Sequence, residues 1–325
     1  MRIFSGVRPS GKLHIGNYLG AVRQWLELQK NNQCLFCVVD LHAITTPYNP
    51  KNFQKAIRKI AAVYLAAGLD SEKSIIFVQS QVKEHAELAW LLSTVTSVGD
   101  LKRMTQFKEK SKKQKMVNAG LLNYPILMAS DILLYQTEEV PVGQDQKQHV
   151  ELTREIARKF NNRYGKTFKL PKAKISKKGA KIMSLIEPEK KMSKTDKEES
   201  CIFLFDESET IRKKINSAQT DSGREIKYDP EKKAGISNLL TTYSLFSNKS
   251  IKELEKEFQG KNYKEFKENL AKLLIEKLKP FRERKEELEK DSSFIDRILK
   301  KGAEKAGKIA QENMDKIKKR MGLKV

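Results

Sequence analysis

Cysteine is scarce in this chain of 325 residues: there are three. That count excludes a disulfide scaffold. Cys34 and Cys37 form a Cys-x-x-Cys, but it lies in an apolar run without a second pair, and Cys201 stands alone, so no metal or redox role is read from them. Histidine occurs four times and tryptophan twice. No apolar run approaches the ~20 residues that a bilayer-spanning helix needs. The opening residues, Met1 to Gly6, read as a strand entering a glycine turn rather than a signal peptide, and together with the few cysteines they point to the cytoplasm. Lysine, by contrast, is abundant. The chain carries 64 Lys and Arg against 41 Asp and Glu, a formal net charge of +23. Compositional bias laid over solvated faces would produce such a count, and so would a surface built for phosphates or nucleic acid.

Patterning gives the fold class. Ile3–Ser5 is a short apolar segment; Tyr18, Leu19, Val22, Trp25 and Leu26 recur at helical spacing; the run from Cys34 to Val39 is continuously apolar. Such runs suit strands buried on both faces of a parallel sheet. Gln54 to Ala67 returns to a helical period, and Ser74 to Val78 reads as another buried strand. The alternation predicts an α/β, doubly wound sheet. A polar stretch spans 100–114, and an apolar segment from Leu121 to Leu134 leads into a strand and turn at Glu139–Gly143. Beyond about residue 206 the pattern is helical: Phe266, Leu270, Leu273, Leu274 and Leu278 share one face, and Ile309, Met314, Ile317 and Met321 another.

Two segments carry chemistry. Arg8 to Asn17 joins the first strand to the first helix, where a glycine turn offers free backbone N–H groups to a phosphate. Gly16 lets a large flat group approach the backbone, and His14 and Asn17 would donate to phosphate oxygens. Lys191-Met192-Ser193-Lys194-Thr195 places two lysines about a polar turn, suited to charge developing on a departing pyrophosphate. Each alone is weak, being an ordinary strand–helix turn or one lysine cluster among many.

In this order, between an α/β body and a helical C-terminal part, they resemble the two signatures of class I aminoacyl-tRNA synthetases, as His14-Ile15-Gly16-Asn17 and Lys191 to Thr195. The segments Asp40 to Thr45, Tyr124 to Tyr135, Val140 to His149 and Gly235 to Leu240 are similar to the bacterial tryptophanyl-tRNA synthetase family, and the resemblance spans essentially the whole chain. It implies a Rossmann-like parallel-sheet catalytic domain (1–46 and 122–205), a helical connective insertion (47–121) and a C-terminal helical bundle that binds the anticodon (206–325). It further implies that L-tryptophan is activated by ATP with Mg2+ and passed to the 3′ end of tRNA(Trp), by a homodimer in which tRNA reaches from one subunit's site to the other's helical domain. No membrane association and no protein-held metal are expected.

Residue by residue, the resemblance makes Asp131 the acceptor for the indole N–H. An indole has a single polar atom, a donor, so an acceptor left unpaired by phenylalanine discriminates strongly. Phe4, Tyr124, Met128, Ile132, Val140 and Val142 would wall the indole, with His42 near the site and Gln146 by the reacting carboxylate. Arg8, Pro9, Ser10, Gly16 and Asn17 would lie along ATP. Gly143, Gln144 and Asp145 would hold the ribose, and Ile182 and Met192 would meet adenine through their backbones. Lys110, Lys191 and Lys194 would reach the triphosphate, with Ser193 and Thr195 in the same loop. His14, Lys110, Lys191 and Lys194 are the catalytic set. His85 and His149 are left outside it.

Four positions depart from the family: Arg8 stands where glutamine is common, Asn17 replaces a histidine, Gln144 a glutamate and Thr195 a serine. Three other readings share parts of the pattern. Tyrosine activation would need partners for a phenolic hydroxyl, and the Tyr124–Tyr135 segment favours tryptophan. A non-catalytic binding paralogue is opposed by the retained His14, Gly16, Lys191 and Lys194, and another nucleotidyltransferase, such as one making a pantoate adenylate, by the helical C-terminal part. The lysines concentrate: 101–115 holds seven basic residues and one acidic, and 166–181 seven and none. ATP phosphates mid-chain, and tRNA along the middle and C-terminal surfaces, are the anions expected.

Overall fold

The computed structural model describes residues 1–9, 11–112, 117–175, 182–193 and 197–323. Ser10, Lys194 and Thr195, and part of the basic stretches 101–115 and 166–181, lie outside them. Five parallel strands, β1 (Arg2–Val7), β2 (Gln33–Val38), β3 (Ser74–Val78), β4 (Glu139–Val142) and β5 (Lys172–Ile175), form one sheet in the order β3-β2-β1-β4-β5. Cys34 pairs with Ile3 on one side and Ser74 on the other. Strand order reverses between β1 and β4, and the crevice beyond the carboxyl ends of those two strands is where ligands of such sheets bind.

Side chains alternate across the sheet, so each strand feeds two cores. Ile3, Cys34, Phe36, Val38, Ile76 and Val78 face the helix Pro50–Ala66. Phe4, Leu35, Cys37, Val39 and Phe77 face the helices Glu84–Ser93, Ala119–Leu133 and Lys147–Tyr164. Cys34 and Cys37 therefore sit on opposite faces, which rules out a joint ligand role and explains why the motif is inert.

Two stretches hold elements that the sequence pattern did not announce. The polar stretch 100–114 holds two short helices, Val98–Arg103 and Thr105–Ser111, whose few buried positions hide the period. The lysine-dense 165–181 contains β5, an edge strand masked by exposed Lys172 and half-buried Lys174. The stretch 47–121, expected as an insertion, supplies β3 to the main sheet. The C-terminal part is helical, and among the described residues no strand element follows Asp206. Phe266, Leu270, Leu274 and Leu278 are fully buried, as their spacing predicts, and Leu273 is partly so.

The last helix, Ser292–Met321, leaves that bundle. Its Ile295 and Leu299 pack in the first core, while Ala306, Ala310, Met314 and Ile317 pack in the second. It crosses the β3 edge at Gly302, where a Cβ would lie 1.9 Å from the Ile76 carbonyl oxygen. Only glycine permits that approach. The crossing covers an edge that would otherwise offer a template for pairing with another chain.

Candidate active site

A cavity of about 330 Å3 opens at the strand reversal. β1 supplies Phe4 to it and the following turn Arg8, β4 supplies Val140 and Val142, and the Ala119–Leu133 helix supplies Tyr124, Met128, Asp131 and Ile132. His42, Gly143, Gln146 and Lys110 complete the expected residues on its wall. All nine positions assigned to tryptophan are thus brought together. Pro125 inside the helix and Asn118 capping its first turn through Leu121 N set where these side chains project.

At the floor, Asp131 is 1% exposed. Its Oδ1 accepts from Gln79 Nε2 at 2.7 Å and from His85 Nδ1 at 2.6 Å; its Oδ2 accepts from His42 Nε2 at 2.8 Å. Burial opposes the charge, but His42 and His85 overcome it and hold the pKa below the ordinary carboxylate value. An ionised carboxylate has about four acceptor positions. Three are taken, leaving one on Oδ2, beside His42 and the cavity. Gln79 and His85 are absent from the cavity wall. Behind them, His85 Nε2 meets the Tyr135 hydroxyl at 2.7 Å, and burial keeps that hydroxyl protonated.

The sequence reading missed Gln79 and His85. The signal available was position: Gln79 immediately follows β3, as Asp40 and His42 follow β2, so its side chain emerges at the carboxyl edge. His149 was also left out. Its Nε2 lies 2.9 Å from the Tyr124 hydroxyl, and its Nδ1 is buried without a partner. Burial and then the Lys110 charge push its pKa down to about 4.

The upper rim is cationic. Lys110 Nζ lies 5.3 Å from the Tyr124 ring centroid, and its pKa is lowered by burial and then by the Arg8 charge. Arg8 is lowered by its own burial. Two cations crowded in this way favour an anion between them. Gln144 and Asp145 stand outside the cavity wall in a short turn, with Gln146 Nε2 donating to Asp145 Oδ2 at 2.7 Å. A Cβ on Gly143 would lie 2.6 Å from Asp145 Oδ1, the end of an exposed side chain that would have to turn aside.

The two signature segments meet one another. Ile15 N donates to Ile202 O at 2.9 Å and Leu204 N to Leu13 O at 2.8 Å, stitching the first onto the chain after the second. Met192 N donates to Ile182 O at 3.0 Å, and Cys201 Sγ to Ser193 O at 3.1 Å. The Gly16 Cα faces this hairpin: a Cβ there would lie 3.6 Å from Ile182 Cβ and 3.0 Å from the His14 ring. His14 also caps the first helix. Its Nδ1 accepts from Asn17 N at 3.2 Å, closing a reciprocal cap, so one ring nitrogen is committed to the helix start. Lys191 is exposed, with Met192 buried beneath it. Pro9 lines a second cavity, with Lys12, Lys59 and Phe203.

Comparison with known proteins follows the same lines. The family model for class I tRNA synthetases (W and Y) matches residues 1–279. The chain is 52% identical over 322 residues to the tryptophan–tRNA ligase of Bacillus anthracis, covering 99% of this chain and 98% of that protein. It is 51% identical to the Bacillus subtilis tryptophan–tRNA ligase, with 99% and 97% covered. The crystal structure of tryptophanyl-tRNA synthetase from Campylobacter jejuni complexed with ADP and tryptophan superposes with a TM-score of 0.89 at 40% identity, covering 99% of this chain and 100% of that one.

Proposed function

We infer the function from membership: the chain belongs to the class I tRNA synthetases of the tryptophan and tyrosine type, and it is a tryptophan–tRNA ligase that uses ATP. One observation of its own structure carries that reading, the apolar cavity whose buried carboxylate keeps a single open acceptor position. An indole N–H fills that position and leaves no other polar atom to satisfy, whereas a phenolic hydroxyl that donates there keeps lone pairs in need of a donor.

In the reaction the tryptophan carboxylate attacks the α-phosphorus of ATP; the new O–P bond forms as the bond to the pyrophosphate oxygen breaks. The nucleophile is already ionised at pH 7, so no general base is needed. A ribose hydroxyl at the 3′ end of tRNA then attacks the activated carbonyl and AMP departs. The roles of individual residues are our proposal. Asp131 accepts the indole N–H between Phe4, Met128, Ile132, Val140 and Val142, while Tyr124, His42 and Gln146 shape the end of the pocket. Arg8, Lys110, Lys191 and Lys194 neutralise phosphate charge, with Ser10, Ser193 and Thr195 in the same loops. Gly16, Asn17 and Pro9 lie along the nucleotide; Gly143, Gln144 and Asp145 hold ribose, and the Ile182 and Met192 backbones meet adenine. His14 acts by capping the helix that presents Gly16. ATP enters as its Mg2+ complex, the phosphates carrying the metal, since the side chains at this rim are cationic.

The division into a catalytic body, a connective segment at 47–121 and an anticodon-binding helical part from 206 is likewise proposed, as are tRNA contacts along the basic surfaces and a cytoplasmic location. Among the described residues no helix is long and apolar enough to cross a membrane. A homodimer is supported by exposed apolar side chains on successive helices, Trp90 at 72% and Val98 at 57%. Tryptophan-dependent ATP–pyrophosphate exchange by the purified protein tests the reading. Exchange with tyrosine but not tryptophan would overturn its specificity, and none with either would favour a binding paralogue.

A further inference from the structure

Gly235 to Leu240 was noted in the sequence without a task. These residues open the helix Ala234–Ser247 of the C-terminal part. A Cβ on Gly235 would lie 2.2 Å from the Gln219 carbonyl oxygen, so the helix start is pressed onto that backbone, and Gln219 N in turn donates to Leu185 O at 2.7 Å. Two residues before Leu240, buried Asn238 does something more specific. Met183 N donates to Asn238 Oδ1 at 2.9 Å, and Asn238 Nδ2 donates to Met183 O at 3.0 Å.

Met183 stands opposite Lys191 in an antiparallel bridge. On that inner side Ser184 N donates to Lys190 O at 2.8 Å and Met192 N to Ile182 O. The outer side of the hairpin is an edge, and the Asn238 amide pairs with it as a neighbouring strand would, using one acceptor and one donor. An aspartate could not donate, and an alanine would leave both backbone groups without that partner.

We propose that Asn238 is a positioning residue for ATP: from the C-terminal helical part it fixes the register of the 182–192 hairpin, and so where Ile182, Met192 and Lys191 meet the nucleotide. This rests on the function proposed above, in which that hairpin binds ATP. Full-length wild type, Asn238→Ala and Asn238→Asp are compared in tryptophan-dependent ATP–pyrophosphate exchange below each protein's melting midpoint. The expected result is an ATP KM raised about tenfold in Asn238→Ala with the tryptophan KM within about twofold. Unchanged KM values in a folded variant, or equal rises in both, would overturn the proposal, because a merely structural role predicts no split. If Asn238→Ala does not fold, Asn238→Asp decides: it keeps the volume and the acceptor but sets a carboxylate against Met183 O. A normal ATP KM there overturns the assignment. Loss of exchange by wild type would instead sink the functional reading itself.

Discussion

His85 Nδ1 lies 2.6 Å from Asp131 Oδ1, on the side of the carboxylate remote from the cavity. The pair fixes the charge and the aim of Asp131 without occupying its open position, and it divides recognition from support.

Asp131→Ala removes recognition. The tryptophan KM should rise about 10- to 100-fold, the scale of a lost hydrogen bond to a buried charge, while the ATP KM stays within about twofold. Pyrophosphate exchange with each substrate varied in turn checks this. Unaltered discrimination against phenylalanine and tyrosine would take Asp131 out of its role.

His85→Leu removes support. It leaves a buried carboxylate one donor short, which should cost about 2–4 kcal/mol in urea unfolding at pH 7. The folded pKa of Asp131 lies below the ordinary 3.8, so its contribution is present above that pH and lost as pH falls below it. The variant should lose part of that acid-side dependence. An unchanged unfolding midpoint would contradict the assignment.

His149 gives a separate pH window. Its pKa falls from 6.5 to about 4 on folding, so the unfolded chain binds more protons between those values. Its stabilisation is complete above pH 6.5 and is lost as pH falls towards 4. His149→Gln should flatten the stability profile in that window and leave it unchanged above pH 7. Urea titrations at several pH values read the slope directly.

Two glycines of one helix should respond oppositely to alanine. At Gly302 the added Cβ meets the Ile76 carbonyl at 1.9 Å, so Gly302→Ala should cost about 3–5 kcal/mol or prevent folding. At Gly307 a Cβ meets nothing within 4 Å, so Gly307→Ala should stabilise by about 0.5–1 kcal/mol. Equal effects would show that the helix does not cross β3 as described.

The sheet interior was legible because residues such as Leu35, Phe36 and Phe77 are buried from both sides and leave unbroken apolar runs. The cavity wall was legible through resemblance, which carried Phe4, Asp131 and Val140 to one place that no local pattern could bring together. β5 was not legible, since Lys172-Ala173-Lys174-Ile175 alternates over four residues only, with one large apolar side chain, inside a lysine-dense stretch. Nor was the support of Asp131: Gln79 and His85 are distant in sequence from it, and hydrogen-bond partnership across 52 and 46 positions leaves no periodic trace.

The crossing helix has a consequence for biosynthesis. β1, β2 and β3, which carry Phe4 and lead into His42 and Gln79, are made more than 220 residues before Ala306 to Ile317, which share their second core. The β3 edge and the part of the second core under that helix wait uncovered until it is made, the kind of distant pairing that slows folding and invites aggregation. A chain halted before residue 306 would hold every residue of the proposed site and lack this cover of its sheet, so activity is tied to the synthesis of that helix.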